Sequence, residues 1–573
     1  MELLKKPWIW PAVVFFLPFL VYLPTLTGAF YYDDNVIFLG HQAKRLAENP
    51  FLVFRSDLHF LPGAARSLHV FFLLVLYKVF GPAPLPYHLF NLLFHSATTL
   101  IVFIFLRRIT SGLRVALLGG LIFGLHPVHV ENITFVTLGG TDLFYAFWAM
   151  LSLLLYVLFS DRVFKGRKNL ILLVLSVASY LFSVLSKESA AAFVLVYPLT
   201  EWFMGSRTHA EGSPTPAEGS RVVSKLRYLW AMPYLLVLVI MKRGFLFGSA
   251  ATAVEGMSSG TEGGRGLGDV VLSLAFFIKS LVVPYPLSPF IREFGNEPLL
   301  YFFLILSGTA VITVIAMKKW LAERRLIIWG SLFFLVTSFP YLFVPFVQGN
   351  VAITAERYIY AASIGFSAVL ACVFAGIWRE RITRLLVAAL LVAYGITGVV
   401  YFYEAWRTEE AFWGYVVRMN PDYVSGYVSL GGLELEKGNR KEARARILEG
   451  LNKPKGMPAE FAQAAYILGT MAQEEGLLQQ AEKYYMLSLN YSAYEFSFIE
   501  LGFLYLNSRN LDGARWAFES ALQFPQQNLR AVLGIAKTFE LSGDKEKARS
   551  YAERVYREAR DERLRALAAD MLR

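Results

Sequence analysis

Eleven apolar runs fill the first 404 residues of this chain, and no soluble globule buries that many. They are Trp8–Ala29, Pro86–Leu106, Val115–Phe135, Thr141–Phe159, Leu170–Ser186, Ala190–Phe203 and Tyr228–Phe247. Leu299–Met317, Leu326–Phe346, Tyr360–Ile377 and Leu385–Tyr403 complete the set. A helix crosses the hydrocarbon core with about 20 apolar residues, so the runs predict a membrane domain of about 11 crossings. The chain is 17% charged, against roughly a quarter for soluble domains, and 56% hydrophobic, which excludes a disordered chain. The first run follows Lys5-Lys6, is interrupted by Pro18 and Pro24 and lacks a small-residue cleavage site, so it reads as a retained anchor.

Loop charge sets the expected topology. Basic clusters stand at Arg107-Arg108, Arg162 to Lys168, Arg207 to Arg227, Lys318-Lys319 with Arg324-Arg325, and Arg379 to Arg384. Short Lys/Arg-rich loops stay cytoplasmic. The parity then puts the N-terminus inside, with the loop 30–67 and everything after residue 404 outside. Residues 204–227 form a cytoplasmic loop. The segment 269–289, within the stretch 248–298, carries Lys279, Pro284, Pro286 and Pro289; it would break the parity, and is expected on the outer face or re-entrant.

Charge also marks a domain boundary near Trp406. Residues 1–404 hold 32 Lys+Arg against 21 Asp+Glu, whereas residues 405–573 hold 23 of each. The basic excess lies in loops between apolar runs, which argues for a membrane and against nucleic acid. The one cysteine, Cys372, forms no internal disulfide. Beyond the boundary, Gly431, Gly469, Gly502 and Ala536 recur at a period near 34. Each is followed twelve residues later by an alanine: Ala443, Ala481, Ala514 and Ala548. Small residues at those phases are where the paired helices of a tetratricopeptide repeat cross, with Tyr427, Tyr485, Phe498 and Phe518 filling the gaps. The whole chain is therefore expected to be all-α: a membrane domain, 1–404, then a helical solenoid, 405–573, that binds a protein partner and does no chemistry.

Ionisable residues at membrane depth are costly and point to function. Asp33-Asp34 follow the first run directly; they fit a solvated loop or helix cap as well as a reaction centre. His126-Pro-Val-His129-Val-Glu131, with Asp142 beyond, lacks the i, i+4 histidine spacing of a zinc helix, and reads better as a polar cluster for phosphate or sugar than as a metal site. Lys187-Glu188 and Glu356-Arg357-Tyr358 are acid–base neighbours that fit interfacial ion pairs too. The topology gathers Asp33, His129, Lys187 and Arg357 at the outer surface.

In order, the chain carries the Asp-Asp loop, Tyr87-His88-Leu-Phe-Asn91-Leu-Leu-Phe-His95, His126-Pro-Val-His-Val-Glu131, Ser186-Lys-Glu188, Glu356-Arg-Tyr-Ile-Tyr360-Ala-Ala-Ser-Ile-Gly365-Phe, and the repeats. This series resembles the transmembrane and tetratricopeptide-repeat O-mannosyltransferases and their prokaryotic relatives, of the GT-C glycosyltransferase fold, over nearly the whole chain. The resemblance implies a sugar donor on a polyprenyl or dolichyl phosphate, transfer on the non-cytoplasmic face, and a catalytic acid pair at Asp33 and Asp34. Relatives commonly carry Gly-Arg-Ala-Asp after the histidine motif, where this chain has Gly139-Gly140-Thr141-Asp142. The missing arginine bears on the sugar and on how phosphate is held.

On this reading a hydroxyl of a protein acceptor attacks the anomeric carbon with inversion. Asp33 takes its proton and Asp34 positions Asp33, although the two fit either role. Arg357 forks the phosphate, Lys187 adds a point charge, and His129 donates. Glu131, Asp142, Glu188 and Tyr358 complete the donor site, and Arg66, His88, Asn91, His126 and Glu356 support it. No metal is required. The repeats hold the protein acceptor or a partner. The expected setting is a bacterial inner membrane with periplasmic repeats, or else the endoplasmic reticulum with luminal ones. The competing readings are transfer to a lipid or polysaccharide, and a scaffold that only displays the repeats.

Overall fold

The computed structural model describes residues 8–38, 41–54, 66–110, 112–164, 169–208, 227–242, 267–289, 324–342, 355–378, 381–524, 528–559 and 561–573. The described residues are helical, with no strand and a single isolated bridge between Tyr423 and Lys455. The all-α architecture read from the sequence is the one observed. The chain divides into two compact units, Met1–Tyr415 and Val416–Arg573.

In the first unit the helices are α1 (Ile9–Val21), α2 (Asp33–Phe38), α3 (His41–Glu48), α4 (Ser67–Phe80), α5 (Pro84–Thr110), α6 (Leu113–Leu125), α7 (Val130–Thr134) and α8 (Leu138–Phe164). They continue as α9 (Leu170–Ser186), α10 (Val196–Thr208), α11 (Met232–Lys242), α12 (Leu267–Val282), α13 (Arg324–Leu342), α14 (Ala362–Gly376) and α15 (Arg381–Tyr401). Four described helices are long and apolar enough to cross a membrane, or five if the bent pair Leu113–Leu125 and Pro127–Thr134 is one span. Six shorter apolar helices accompany them. Among these, α4 lies where no apolar run was expected. The expected run Ala190–Phe203 is divided between a 3₁₀ turn, Glu188–Leu195, and α10. Segment 269–289 forms nearly all of α12 and the Pro-rich turn after it. The run Leu299–Met317, and most residues of the basic loops 162–168, 207–227 and 318–325, lie outside the described residues.

Local chemistry explains the breaks that shape the site. His126 precedes Pro127, whose ring disfavours a helical predecessor, and its backbone is extended at φ −65°, ψ 124°. Helix α6 ends there, a 3₁₀ turn follows, and the axis bends by 47°. Helix α9 likewise ends as Lys187 turns extended. Glycine lets α13 and α14 approach closely: a Cβ on Gly330 would lie 2.7 Å from the Gly365 carbonyl oxygen. Without a hydrophobic driving force between helices in lipid, such small-residue contacts supply the packing.

The second unit stacks helix pairs: α17 (Val424–Glu436) with α18 (Arg440–Leu451), α19 (Pro458–Glu474) with α20 (Leu478–Tyr491), α21 (Glu495–Asn507) with α22 (Leu511–Leu522), and α23 (Leu529–Leu541) with α24 (Lys545–Glu558). Helix α25 (Glu562–Leu572) ends the chain, and α16 (Glu409–Met419) precedes the pairs. The sequence-predicted small positions are the crossings. Ala443, Ala481 and Ala514 are fully buried, and a Cβ on Gly469 or Gly502 would meet the ring of Tyr485 or Phe518 at 2.6 Å.

Candidate active site

The loop after α1 is held at several points. Tyr31 packs its ring 5.5 Å from Trp406 and 5.6 Å from Phe412, and its hydroxyl accepts the Ala29 N–H at 3.0 Å. Asn35 donates to Glu409 at 2.8 Å. Tyr32 adopts φ +44°, a left-handed conformation that costs a non-glycine residue about 1 kcal/mol or more.

The two carboxylates after it have different surroundings. Asp34 is fully buried and accepts the backbone N–H groups of Val136 at 3.1 Å and Thr137 at 2.8 Å, tying the loop to the turn between α7 and α8. Burial pushes its carboxyl up to about 7, against the pull of the Thr137 and Val136 bonds and with the Asp33 charge adding to the push. Asp33 is part-buried. Burial raises its pKa too, while Arg357 and Arg66 pull it back. The charges of Arg357 and Arg66 therefore act on Asp33, while Asp34 anchors the loop.

The cations themselves are internally paired. Arg357 donates from Nη1 to Glu131 Oε1 at 2.5 Å and from its backbone N–H to Glu131 Oε2 at 2.9 Å. Its Nη2 reaches the Tyr358 hydroxyl at 3.3 Å. Lys187 donates to Asp142 at 2.6 Å, and the same carboxylate oxygen accepts from the Tyr341 hydroxyl at 2.5 Å. The ammonium also lies 5.1 Å and 5.4 Å from the centres of the stacked Tyr341 and Tyr358 rings. Burial pulls the Lys187 amine down to about 8, against the raising pull of Asp142. Arg66 approaches Glu188 at 3.4 Å. Burial pushes Glu188 up, but the Arg66 and Lys187 charges outweigh it and hold the carboxyl below its usual range.

The remaining sequence-predicted residues build the frame. His88 Nε2 contacts the Ala29 carbonyl at 3.2 Å, and Asn91 donates to the Ile133 carbonyl at 3.2 Å. His126 accepts the Val128 N–H on Nδ1, so its Nε2–H donates to the Leu281 carbonyl at 3.0 Å. Ser363 gives its proton to the Tyr360 carbonyl, so His129 Nε2–H donates to Ser363 at 3.3 Å, within an aromatic box of Phe123, Tyr360 and His95. Expected as a phosphate donor, His129 sits among core rings. Glu356 accepts the Ser288 N–H at 2.8 Å. Burial, with the Glu131 charge beside it, pushes its carboxyl up to about 8. No group of three or more His, Cys, Asp or Glu side chains among the described residues is placed to hold a metal ion.

Sequence reasoning missed three participants. Tyr341 is a tyrosine within an apolar run, and no local signal sets it apart. Thr141 contacts His69 Nδ1 at 3.1 Å and donates to the Thr137 carbonyl. His69 is a lone histidine on α4, a helix the sequence did not show.

These features define a polytopic α-helical membrane protein with a buried acid–base cluster, followed by a helical repeat array. No family model matches the chain. Over 192 residues, 32% of this chain, it is 29% identical to the protein O-mannosyl-transferase Tmtc1 of Drosophila melanogaster, and the match covers 22% of that protein's length. The resemblance drawn from the motifs is borne out by this similarity. Among solved structures, the chain aligns with ArnT from Cupriavidus metallidurans bound to undecaprenyl phosphate, at 13% identity and a TM-score of 0.39, over 97% of this chain and 81% of that one. It also aligns with MamA, at 19% identity and 0.22, over 28% and 86%, and with yeast Tom70, at 11% and 0.22, over 76% and 91%.

Proposed function

We propose that the chain is a GT-C-type membrane glycosyltransferase that moves a hexose, such as mannose, from a polyprenyl phosphate to a protein hydroxyl on the extracytoplasmic face. The observation that carries the reading is the division of labour in the acid pair, with Asp33 part-buried and within electrostatic reach of Arg66 and Arg357 while Asp34 is bonded to the backbone. Similarity to a protein named as an O-mannosyl-transferase supports the same chemistry.

In the proposed step the acceptor oxygen forms a bond to the anomeric carbon as the bond from that carbon to the phosphate oxygen breaks. The electron pair leaves with the phosphate, and the hydroxyl proton passes to the Asp33 carboxylate. A phosphate ester departs as an anion, so the site has to supply positive potential rather than a proton. Arg66, Lys187 and Arg357 supply it. A single displacement inverts the anomeric centre, and no metal takes part. The basic-loop parity supports an external location for both the acid pair and the repeats, in a bacterial inner membrane. There the repeats raise the local concentration of a bound protein acceptor.

The test is transfer from polyprenyl-phosphate mannose to protein, read by mass spectrometry of envelope proteins with and without the gene and with Asp33→Asn. The expected result is loss of a hexose from a protein in both the deletion and the variant. An altered glycolipid with unchanged proteins would replace the acceptor, and unimpaired transfer by Asp33→Asn would remove the proposed base.

A further inference from the structure

Asp33 is flanked on both sides by residues gripped from one segment, the stretch Trp406–Trp413 that follows helix α15. Just before it in the chain, the Tyr31 ring stands edge-on to Trp406 at 5.5 Å and tilted against Phe412 at 5.6 Å, and the Tyr32 ring meets Trp413 edge-on at 5.8 Å. Just after it, Asn35 donates to Glu409 Oε2 at 2.8 Å. Glu409, Phe412 and Trp413 stand at i, i+3 and i+4 of α16, on one face of that helix. Trp406 closes the π-helical turn Phe402–Trp406 ahead of it, a rare geometry that is frequent at functional sites.

Trp406 is fully buried and braces two parts of the site at once. Besides Tyr31 it meets the Phe135 ring at 6.0 Å. Phe135 adjoins Val136 and Thr137, whose backbone N–H groups Asp34 accepts. The same indole thus supports the loop that carries the acid pair and the turn to which Asp34 is bonded. Helix α2, which Asp33 opens, has six residues, too few to be stable alone, so tertiary contacts decide where it sits. Tyr32, immediately before Asp33, holds its left-handed φ of +44°, and such strain persists only where the surroundings over-determine it. A general base has to stand within about 2.6–3.2 Å of the oxygen whose proton it takes. Misplacement by about 1 Å can cost on the order of a hundredfold in rate.

We propose that Trp406, Glu409 and Phe412 are positioning residues: this strap fixes where Asp33 stands, and so sets the rate of transfer and not the affinity for the donor. The inference rests on the glycosyltransferase reading above and adds to it a requirement outside the cluster of acids and cations.

The test is mannose transfer from polyprenyl-phosphate mannose to an envelope-protein extract by the full-length chain in nanodiscs. The donor concentration is varied to separate kcat from KM, and every variant is melted. Asn35→Ala and Glu409→Ala are each expected to lower kcat by roughly tenfold with the donor KM within about twofold of wild type. The double variant is expected to be no slower than the slower single one, because both remove the same bond. Glu409→Gln keeps an amide oxygen for Asn35 and is expected to recover most of the rate. Trp406→Leu is expected to lower kcat further, and Trp406→Phe, which keeps a ring, to lower it less. If Trp406→Leu does not fold, the part-buried Asn35–Glu409 pair decides the matter. Wild-type kcat in Asn35→Ala and Glu409→Ala would overturn the proposal, as would losses that multiply in the double variant. A fall in donor affinity that matches the fall in kcat, with early melting, would reduce the strap to support of the fold and overturn it too. A wild-type chain that transfers no mannose would overturn the glycosyltransferase reading and this inference with it, whereas unimpaired variants beside an active wild type overturn the strap alone.

Discussion

The acid pair offers a test in which two adjacent, chemically identical side chains part company. Asp34 accepts two buried backbone N–H groups, at 3.1 Å and 2.8 Å. Leaving a buried donor without an acceptor costs about 1–3 kcal/mol, so Asp34→Ala is expected to destabilise the membrane domain by about 2–6 kcal/mol. In Asp34→Asn the amide oxygen keeps one bond while the NH₂ confronts the other N–H, and about half the loss is expected. Asp33 is part-buried and within electrostatic reach of Arg66 and Arg357, so Asp33→Asn is expected to change stability by less than about 1 kcal/mol and to abolish transfer. The assay pairs thermal unfolding in nanodiscs, followed by tryptophan fluorescence, with transfer from polyprenyl-phosphate mannose on the same preparations. The reasoning is refuted if Asp34→Asn melts like wild type while Asp33→Asn melts early, because the anchoring and reacting carboxylates would then be exchanged.

The Lys187–Asp142 pair predicts non-additivity: Lys187→Met or Asp142→Leu alone should cost about 3–5 kcal/mol by stranding a buried charge, and the double variant clearly less than the sum, as a double-mutant cycle on unfolding would show. The raised pKa of Asp33 places the acid limb of kcat/KM above 3.8: a base that must be ionised loses activity as pH falls through its pKa, so a pH–rate profile with its limb at or below that value would exclude Asp33 as the base. In the repeats, Gly502→Val would drive a side chain into Phe518 and should destabilise that unit by about 1–3 kcal/mol, read as earlier cleavage within residues 495–541 on limited proteolysis of the full chain.

What was legible in the sequence follows from the range of the forces involved. The repeats were readable because close helix crossings demand a small side chain at fixed spacing, as at Gly469 against Tyr485. The apolar runs were readable because length and charge suffice to place a helix in lipid. Helix α4 escaped because His69 and Lys78 confine its unbroken apolar stretch to Val70–Tyr77, too short to register as a span. The site residues were recognised by chemical type, but not by partner. Nothing local foretells that Glu131 takes Arg357, 226 positions away, or that Tyr341 takes Asp142. The surroundings of His129 were hidden for the same reason: its bond to Ser363 spans 234 positions, and the neighbouring rings come from three separate helices or turns.

The tight pairing of Arg357 with Glu131 and of Lys187 with Asp142 also governs how the chamber treats the surrounding electrolyte. A cation matched to its own counter-ion projects a dipole, whose pull fades far faster with distance than that of a bare charge. Chloride and dissolved phosphate drifting past would feel little attraction, and shielding by added salt would have little to weaken. Turnover is therefore expected to stay nearly flat as ionic strength rises, and the cluster to stay clear of small anions.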